Sequence, residues 1–374
     1  MTDKRYMERA LALAEKGVGR TSPNPMVGAV IVKEGRIIGE GYHARYGALH
    51  AERMALQACQ ESPEGATIFV TLEPCSHYGK QPPCVDAIIE AKIAKVVVGA
   101  PDPNPLVSGR GVKILRAHGI EVTEGVLREA CERLNEVFMH YITCKTPFVV
   151  MKTAMTLDGK IACYTGASRW VTGEMARNEV QMLRHRYAAI MVGVGTVLRD
   201  NPRLTCRMEG GKTPLRVICD SRLRTPLDAY VVETAPEVPT VIATASNDEE
   251  KRCRYEAAGC RVVVLAGADG RVNLEKLMEW LGREGIDSVL LEGGGTLNWA
   301  ALQAGVVHKV VSYVAPKFFG GSEAKTPVEG QGVATPLEAV SLKIQAVRQV
   351  GEDVCIESEV VGCSQALLKK SVTS

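Results

Sequence analysis

The chain has 374 residues, a formal net charge of +2, 46% hydrophobic and 24% charged residues, the proportions of a folded chain of about two domains rather than a disordered or fibrous one. Near-neutral charge and 5% aromatics leave neither the basic footprint nor the stacking platforms of a nucleic-acid binder, and no apolar run reaches the roughly 18–20 residues that span a bilayer. The N-terminal MTDKRYMERALALAEKG is charged and amphipathic rather than a signal peptide, so a cytoplasmic protein is expected, with its twelve cysteines reduced.

In chain order, Met7, Ala10, Leu11 and Ala14 fall at helical spacing. Residues 27–32 (VGAVIV) form a nearly continuous apolar run bounded by Pro25 and Gly35, which predicts a strand buried on both faces. A helix pattern over 50–60, a strand over 67–70, a helix over 85–91 and a strand over 95–100 predict an α/β sandwich with helices on both faces of the sheet. A helical stretch over 127–141 precedes a new first strand, TPFVVMKTAM. Strands then recur over 188–193, 215–220, 240–245, 261–266 and 288–293, with helical patterns between several of them. The boundary falls near 143–147, giving expected domains of residues 1–145 and 146–367, each large enough for its own core.

His50-Ala51-Glu52 opens a predicted helix, Pro74-Cys75 follows a strand, and Cys84 begins the next helix after Pro82-Pro83. One imidazole and two thiolates leave a fourth tetrahedral position open, as in a catalytic zinc site. Zinc lowers the pKa of bound water to about 7. Glu52, two residues beyond His50, leaves the helix on a different side and can face that water as a proton shuttle. The zinc-deaminase signature H-x-E…P-C-x-x-C is intact in its first half, but here eight residues separate Cys75 from Cys84.

The segments TSPNPMVGAVIV, GEGYHARYGALHAE and TLEPCSHYGKQPPC resemble the deaminase half of the bacterial bifunctional riboflavin-biosynthesis deaminase–reductases, a branch in which the long insertion between the cysteines is normal. That insertion carries His77 and Lys80, which suit a phosphoribosyl arm near the metal. Turns at Pro23-Asn24-Pro25 and Pro103-Asn104-Pro105 lie near strand ends, where ligands collect in open α/β sheets; an Asn that merely favours the turn reads equally well there. The resemblance implies that Asn24, His43, His77, Lys80, Asp102 and Asn104 contact substrate.

Four segments of the C-terminal half carry signal: KTAMTLDGKIA from Lys152, Ser168 to Thr172, VGVGTVLRDNPRLTCR from Val192, and LLEGGGTLNWAAL from Leu290. In the last, a strand runs into Gly293-Gly294-Gly295 and then a helix pattern, either a backbone cradle for a pyrophosphate or a plain tight turn. Gly193 and Gly195 repeat that logic. Ser221 and Arg222, after another strand, suit the 2′-phosphate of NADP, whereas the adjacent Asp220 argues the other way.

Together these segments resemble the dihydrofolate-reductase-like domain of the same family. The resemblance covers almost the whole chain. It implies a cytidine-deaminase-like α/β/α sandwich followed by a dihydrofolate-reductase-like α/β domain, with one Zn2+ and NADPH as cofactors. NADPH would be lined by Ala154, Trp170, Thr196, Asp200, Ser221, Gly294, Gly295, Thr296, Leu297, Asn298, Trp299 and Ala300. Substrate would be held by Ser168, Arg184, Leu204, Arg207 and Glu292, with Lys152 near the reacting sugar; the guanidinium forks of Arg184 and Arg207 match phosphate oxygens.

The expected function is deamination of 2,5-diamino-6-(5-phosphoribosylamino)pyrimidin-4-one by zinc-bound hydroxide, then NADPH reduction to 5-amino-6-(5-phosphoribitylamino)uracil. The expected partners are this small-molecule substrate and further copies of the chain in a homo-oligomer, not nucleic acid or a membrane. The competing readings are a zinc nucleoside or tRNA deaminase whose C-terminal half only binds nucleotide, and a non-catalytic zinc-stabilised nucleotide binder. Near-neutral net charge and sparse aromatics oppose a tRNA substrate, and Glu52 with the open zinc position opposes the binder.

Overall fold

The computed structural model describes residues 3–78, 81–104 and 108–362. The chain divides into two compact units, Met1–Lys145 and Thr146–Ser374. The first contains, in order, α1 (Asp3–Ala14), β1 (Gly28–Lys33), β2 (Arg36–Tyr42), α2 (Ala51–Gln57), β3 (Thr67–Leu72), α3 (Cys84–Glu90), β4 (Lys95–Ala100), α4 (Arg110–Ala117), β5 (Glu121–Glu124), α5 (Arg128–Leu134) and α6 (Glu136–Cys144). Its sheet has the order β2-β1-β3-β4-β5.

Side-chain alternation along β1 divides the core between the two faces. Ala29 and Ile31 pack with Ala55 of α2, Ile88 of α3 and Leu115 of α4. Val30 and Val32 pack with Met7 and Ala10 of α1, Cys131 of α5 and Phe138 of α6. The strand is therefore buried on both faces, as its composition predicts. Both of its neighbours are nevertheless antiparallel. Helix α1 crosses close above it, and a Cβ on Gly28 would collide with the Ala10 carbonyl.

Strand β2 has no counterpart in the sequence reading. It follows β1 through Glu34-Gly35, both at positive φ (50° and 75°), the backbone of a two-residue hairpin turn. The helix predicted over 127–141 is broken at Asn135. That side chain is buried and meets Met26 twice: Oδ1 accepts from the Met26 N–H at 2.8 Å and Nδ2 donates to its carbonyl at 2.9 Å. The amide replaces a stretch of helix continuity with a fixed loop beside Asn24. Asn135→Ala leaves both Met26 groups unpartnered, and the N-terminal unit loses about 2 kcal/mol, read as a lower unfolding midpoint in urea.

The second unit contains β6 (Phe148–Thr156), α7 (Glu174–Arg186), β7 (Ala189–Gly193), α8 (Val194–Asp200), β8 (Leu215–Cys219), α9 (Tyr230–Glu233), β9 (Thr240–Thr244), α10 (Glu249–Ala257), β10 (Arg261–Val264), α11 (Leu274–Arg283), β11 (Ser288–Leu291), α12 (Gly295–Gln303), β12 (Lys309–Ala315), β13 (Leu342–Val350) and β14 (Asp353–Val360). The sheet order is β10-β9-β8-β7-β11-β6-β12-β14-β13. Strands β10 through β12 of that order are parallel, and β14 and β13 close the edge antiparallel.

Met191, Val217, Val289 and Leu291 face α11 and Ala301 of α12. Ile190, Val192, Ile218 and Ile242 face the other way, toward Val231 and Tyr255. The chain leaves β6 for β7 and returns only later to insert β11 between them. The ends of β6, β11, β7 and β8 thus share one edge, where α/β sheets collect ligands. The sequence reading did not identify the last three strands; of these, β13 is exposed along nearly its whole length. Among the described residues, no helix is long and apolar enough to cross a membrane.

Candidate active sites

In the N-terminal unit, His50 is the residue before α2, Cys75 lies in the loop after β3, and Cys84 is the first residue of α3. The fold brings His50 Nδ1 to 3.4 Å from each sulfur, and all three donor atoms lie within 4.8 Å of one another. Zinc bonds of about 2.0 Å to nitrogen and 2.3 Å to sulfur at a tetrahedral angle place donors roughly 3.5 Å apart, so the trio suits that ion. Hydrogen bonding from Cys84 and His50 overcomes burial and pulls the Cys75 thiol down to about 4, toward the thiolate that a metal takes. The other cysteines among the described residues are unpaired.

Glu52 sits in the first turn of α2 and is 3% exposed. Burial pushes its carboxyl up to about 6. His43 stands edge-on to His50, with ring centres 5.4 Å apart. Its Nδ1 lies 3.0 Å from the Leu49 carbonyl and its Nε2 3.2 Å from the Asn24 side-chain amide, so two residues named from sequence meet here. Asp102 is buried, accepts from the Asn104 N–H at 2.8 Å, and is pushed by burial to about 6. His77 is exposed, and Lys80 lies outside the described residues. The sequence reading passed over Glu73, a buried carboxylate that accepts from the N–H groups of Gly109 and Val112; its position one residue before Pro74 was the available signal.

In the C-terminal unit, a cavity of about 780 Å³ opens at the shared strand edge. It is lined by the turns Gly193–Gly195 and Gly293–Gly295 and by Ser168, Thr196, Asp200, Ser221, Glu292, Thr296, Leu297 and Ala300, all but Gly193, Val194, Gly195 and Gly293 assigned from the resemblance to cofactor or substrate. At one end, Arg184 grips Glu292 with a bidentate fork, Nε to Oε1 at 2.8 Å and Nη2 to Oε2 at 3.0 Å. Lys152 lies 3.7 Å from the same carboxylate. Burial alone would raise Glu292; the Arg184 and Lys152 charges more than offset it and hold the carboxyl at about 2.

Other expected positions fall elsewhere. Arg184 is engaged by Glu292 and the Thr205 carbonyl, which occupy three of its five N–H groups. Leu204 is 2% exposed, in the core with Ile190 and Val197, and its side chain does not line the cavity. Asn298 turns inward and donates to the carbonyls of Gly293 and Pro327: it braces the glycine turn. Trp299 packs on Gly330. Trp170 is exposed beneath the Arg177 guanidinium. Ala154 shares a face of β6 with Lys152; neither it nor Trp170 lines the cavity. Arg207 is exposed, and its N–H donates to Gln181. Sequence reasoning missed Arg199, Arg224, Arg271 and Lys325, which line the cavity from helix α8 and from loops that carry no periodic signal.

Residues 1–100 match the family described as the cytidine and deoxycytidylate deaminase zinc-binding region, and residues 147–356 match the RibD C-terminal domain. The chain is 53% identical over 361 residues to the riboflavin biosynthesis protein RibD of Actinobacillus pleuropneumoniae, covering 96% of each chain. It is 40% identical to the protein of the same name from Escherichia coli K12, covering 95% of this chain and 99% of that one. Among solved structures, it is similar to a diaminohydroxyphosphoribosylaminopyrimidine deaminase/5-amino-6-(5-phosphoribosylamino)uracil reductase from Thermotoga maritima, with a TM-score of 0.86, 40% identity and coverage of 96% of this chain and 98% of that one. Acinetobacter baumannii RibD aligns with a TM-score of 0.85 at 36% identity, covering 96% of this chain and 99% of that one.

Proposed function

The chain belongs to the RibD family of riboflavin biosynthesis proteins, and from that premise we propose that its two sites perform consecutive steps on one phosphoribosylated pyrimidine. The N-terminal unit is a cytidine-deaminase-like, zinc-dependent deaminase. The C-terminal unit is a dihydrofolate-reductase-like domain that uses NADPH. The observation that carries the reading is the convergence of His50, Cys75 and Cys84 beside the buried carboxylate of Glu52, in one chain with a glycine-lined cavity.

Zinc bound by the trio supplies the Lewis acidity that makes water nucleophilic near neutral pH. Glu52 takes the proton of the attacking water and hands it to the departing amine, and burial places its carboxyl in the range suited to both transfers. Asn24 and His43, joined at 3.2 Å, orient the pyrimidine, and Asp102 and Asn104 bound it. The substrate is 2,5-diamino-6-(5-phosphoribosylamino)pyrimidin-4-one. Its deaminated product is reduced at the ribosyl carbon to give 5-amino-6-(5-phosphoribitylamino)uracil.

In the second site NADPH supplies the hydride. The turns at Gly193–Gly195 and Gly293–Gly295 let a pyrophosphate approach the backbone. Lys152, held by Glu292, faces the opened sugar as a proton donor, and Ser168 contacts it. A cytoplasmic location and self-association complete the proposal.

Given zinc, NADPH and the diamino substrate, the purified chain releases one ammonia before each NADPH is oxidised. Absence of ammonia release from zinc-loaded protein overturns the first step. A deaminated intermediate that never oxidises NADPH overturns the second and leaves a deaminase with a binding domain.

A further inference from the structure

Strand β3 ends at Leu72, and Glu73 and Pro74 then lead into the ligand Cys75. Glu73 is 4% exposed and lies outside the trio of metal donors. Its main chain and its side chain reach the connection between β4 and α4 from its two ends. The Glu73 N–H donates to the Ala100 carbonyl at 3.0 Å, where β4 ends. The carboxylate accepts from the Gly109 N–H at 3.0 Å and the Val112 N–H at 3.4 Å, where α4 begins. Asp102 and Asn104 lie between these two anchors.

A helix ordinarily takes its N-terminal cap from its own first residues, at the N-cap or three positions later. In α4 these are Gly109, at φ +70°, and Val112, and neither has a side chain that accepts a hydrogen bond. The cap comes instead from 36 residues earlier in the chain, on the segment that delivers Cys75. Packing repeats the link: a Cβ on Gly111, in the first turn of α4, would collide with the Pro74 carbonyl.

The anchored end is joined in turn to the two polar residues. The Ser108 N–H donates to the Asn104 carbonyl at 2.8 Å, and the Asn104 N–H to the Asp102 carboxylate at 2.8 Å. A shift of Gly109 therefore carries Asn104 and Asp102 with it. The metal segment has ties of its own, because the Cys84 N–H lies 3.1 Å from the Cys75 carbonyl and 3.3 Å from its sulfur. Loss of the Glu73 contacts thus displaces the Asp102–Asn104 turn and leaves the metal donors in place.

We propose that Glu73 is a positioning residue of the deaminase: it holds Asp102 and Asn104 against the metal-bearing segment and so sets substrate affinity without touching the substrate. The proposal rests on the reading of Asp102 and Asn104 as substrate contacts.

Glu73→Gln keeps the size of the side chain but offers one acceptor oxygen to two N–H groups. Steady-state deamination by the full-length, zinc-loaded chain compares it with Asn104→Ala and with the double variant. In Glu73→Gln the KM for the diamino substrate is expected to rise about 10-fold while kcat stays within about 3-fold of wild type. Zinc stays at one per chain. Asn104→Ala also raises KM, and the double variant is within about 2-fold of the worse single variant, because both changes remove the same placement. A Glu73→Gln chain with a lower urea midpoint and an unchanged KM makes Glu73 a helix cap alone and overturns the proposal. Effects that multiply in the double variant overturn it too, as does loss of zinc, which assigns Glu73 to metal retention. An Asn104→Ala chain with unchanged KM overturns the reading beneath the proposal as well. Should Glu73→Gln fail to fold, Glu73→Asp, which keeps both oxygens but draws them back by one methylene, is held to the same outcomes.

Discussion

Glu52→Gln abolishes deamination, by about 100- to 10,000-fold, without releasing zinc. The glutamine keeps the shape and hydrogen-bonding reach of the side chain in its buried place on α2 but has no basic oxygen to receive a proton. The three metal donors, His50, Cys75 and Cys84, are untouched. Zinc therefore stays at one per chain by atomic absorption while ammonia release stops. NADPH oxidation on the deaminated intermediate continues at the wild-type rate, because no residue of the C-terminal cavity is altered. Chelation of the metal stops ammonia release in the same selective way. A variant that loses zinc together with activity assigns Glu52 to metal retention instead, and one that keeps full activity removes it from the reaction.

Glu292→Gln does the converse. It leaves Arg184 and Lys152, each only partly exposed, together with no counter-charge, where both now lie against one carboxylate. Loss of one partner from a buried ionic cluster costs about 3–5 kcal/mol, so the C-terminal unit unfolds at markedly lower denaturant. Arg184 and Lys152 move apart, and NADPH oxidation falls by roughly 100-fold or more as the sugar loses its fixed partners. Deamination is unaffected.

The same carboxylate predicts a pH dependence. Its folded value, about 2, lies below the ordinary 4.5. The stability it contributes is therefore fully present above about pH 4.5 and is lost as pH falls toward about 2. Denaturant midpoints measured between pH 6 and pH 2.5 drop steeply for the wild-type chain and less for the variant. Equal slopes contradict the assignment of this shift to Glu292.

The deaminase site was legible because its chemistry is local. His50 and Glu52 stand two residues apart, Cys75 and Cys84 each adjoin a proline, and such spacings survive in one dimension. The glycine turns were legible for the same reason, since glycine after a strand marks a close backbone approach. The outer strands were not. Strand β2 depends on a turn at Glu34-Gly35 within a polar stretch, and β13 places the apolar residues of its alternation, Leu342, Ile344 and Ala346, at exposed positions rather than on a core face. The break at Asn135 was equally hidden, because it is imposed by Met26, far away in the chain.

The sequence by itself determined the two α/β units, the metal donors with their carboxylate, and the glycine turns of the cavity, because short-range spacing and apolar periodicity encode each of them. Only the tertiary structure decided what the long-range partners do. Arg184 is a clamp on Glu292, and Leu204 is a core plug. Asn298 braces a turn. Glu73, passed over in sequence, caps a helix from 36 residues away. The physical reason is common to all four: a polar or apolar side chain takes its role from what it meets after burial. Those meetings, from Glu73 with Gly109 to Arg184 with Glu292, are set by strand order and loop closure rather than by neighbouring letters.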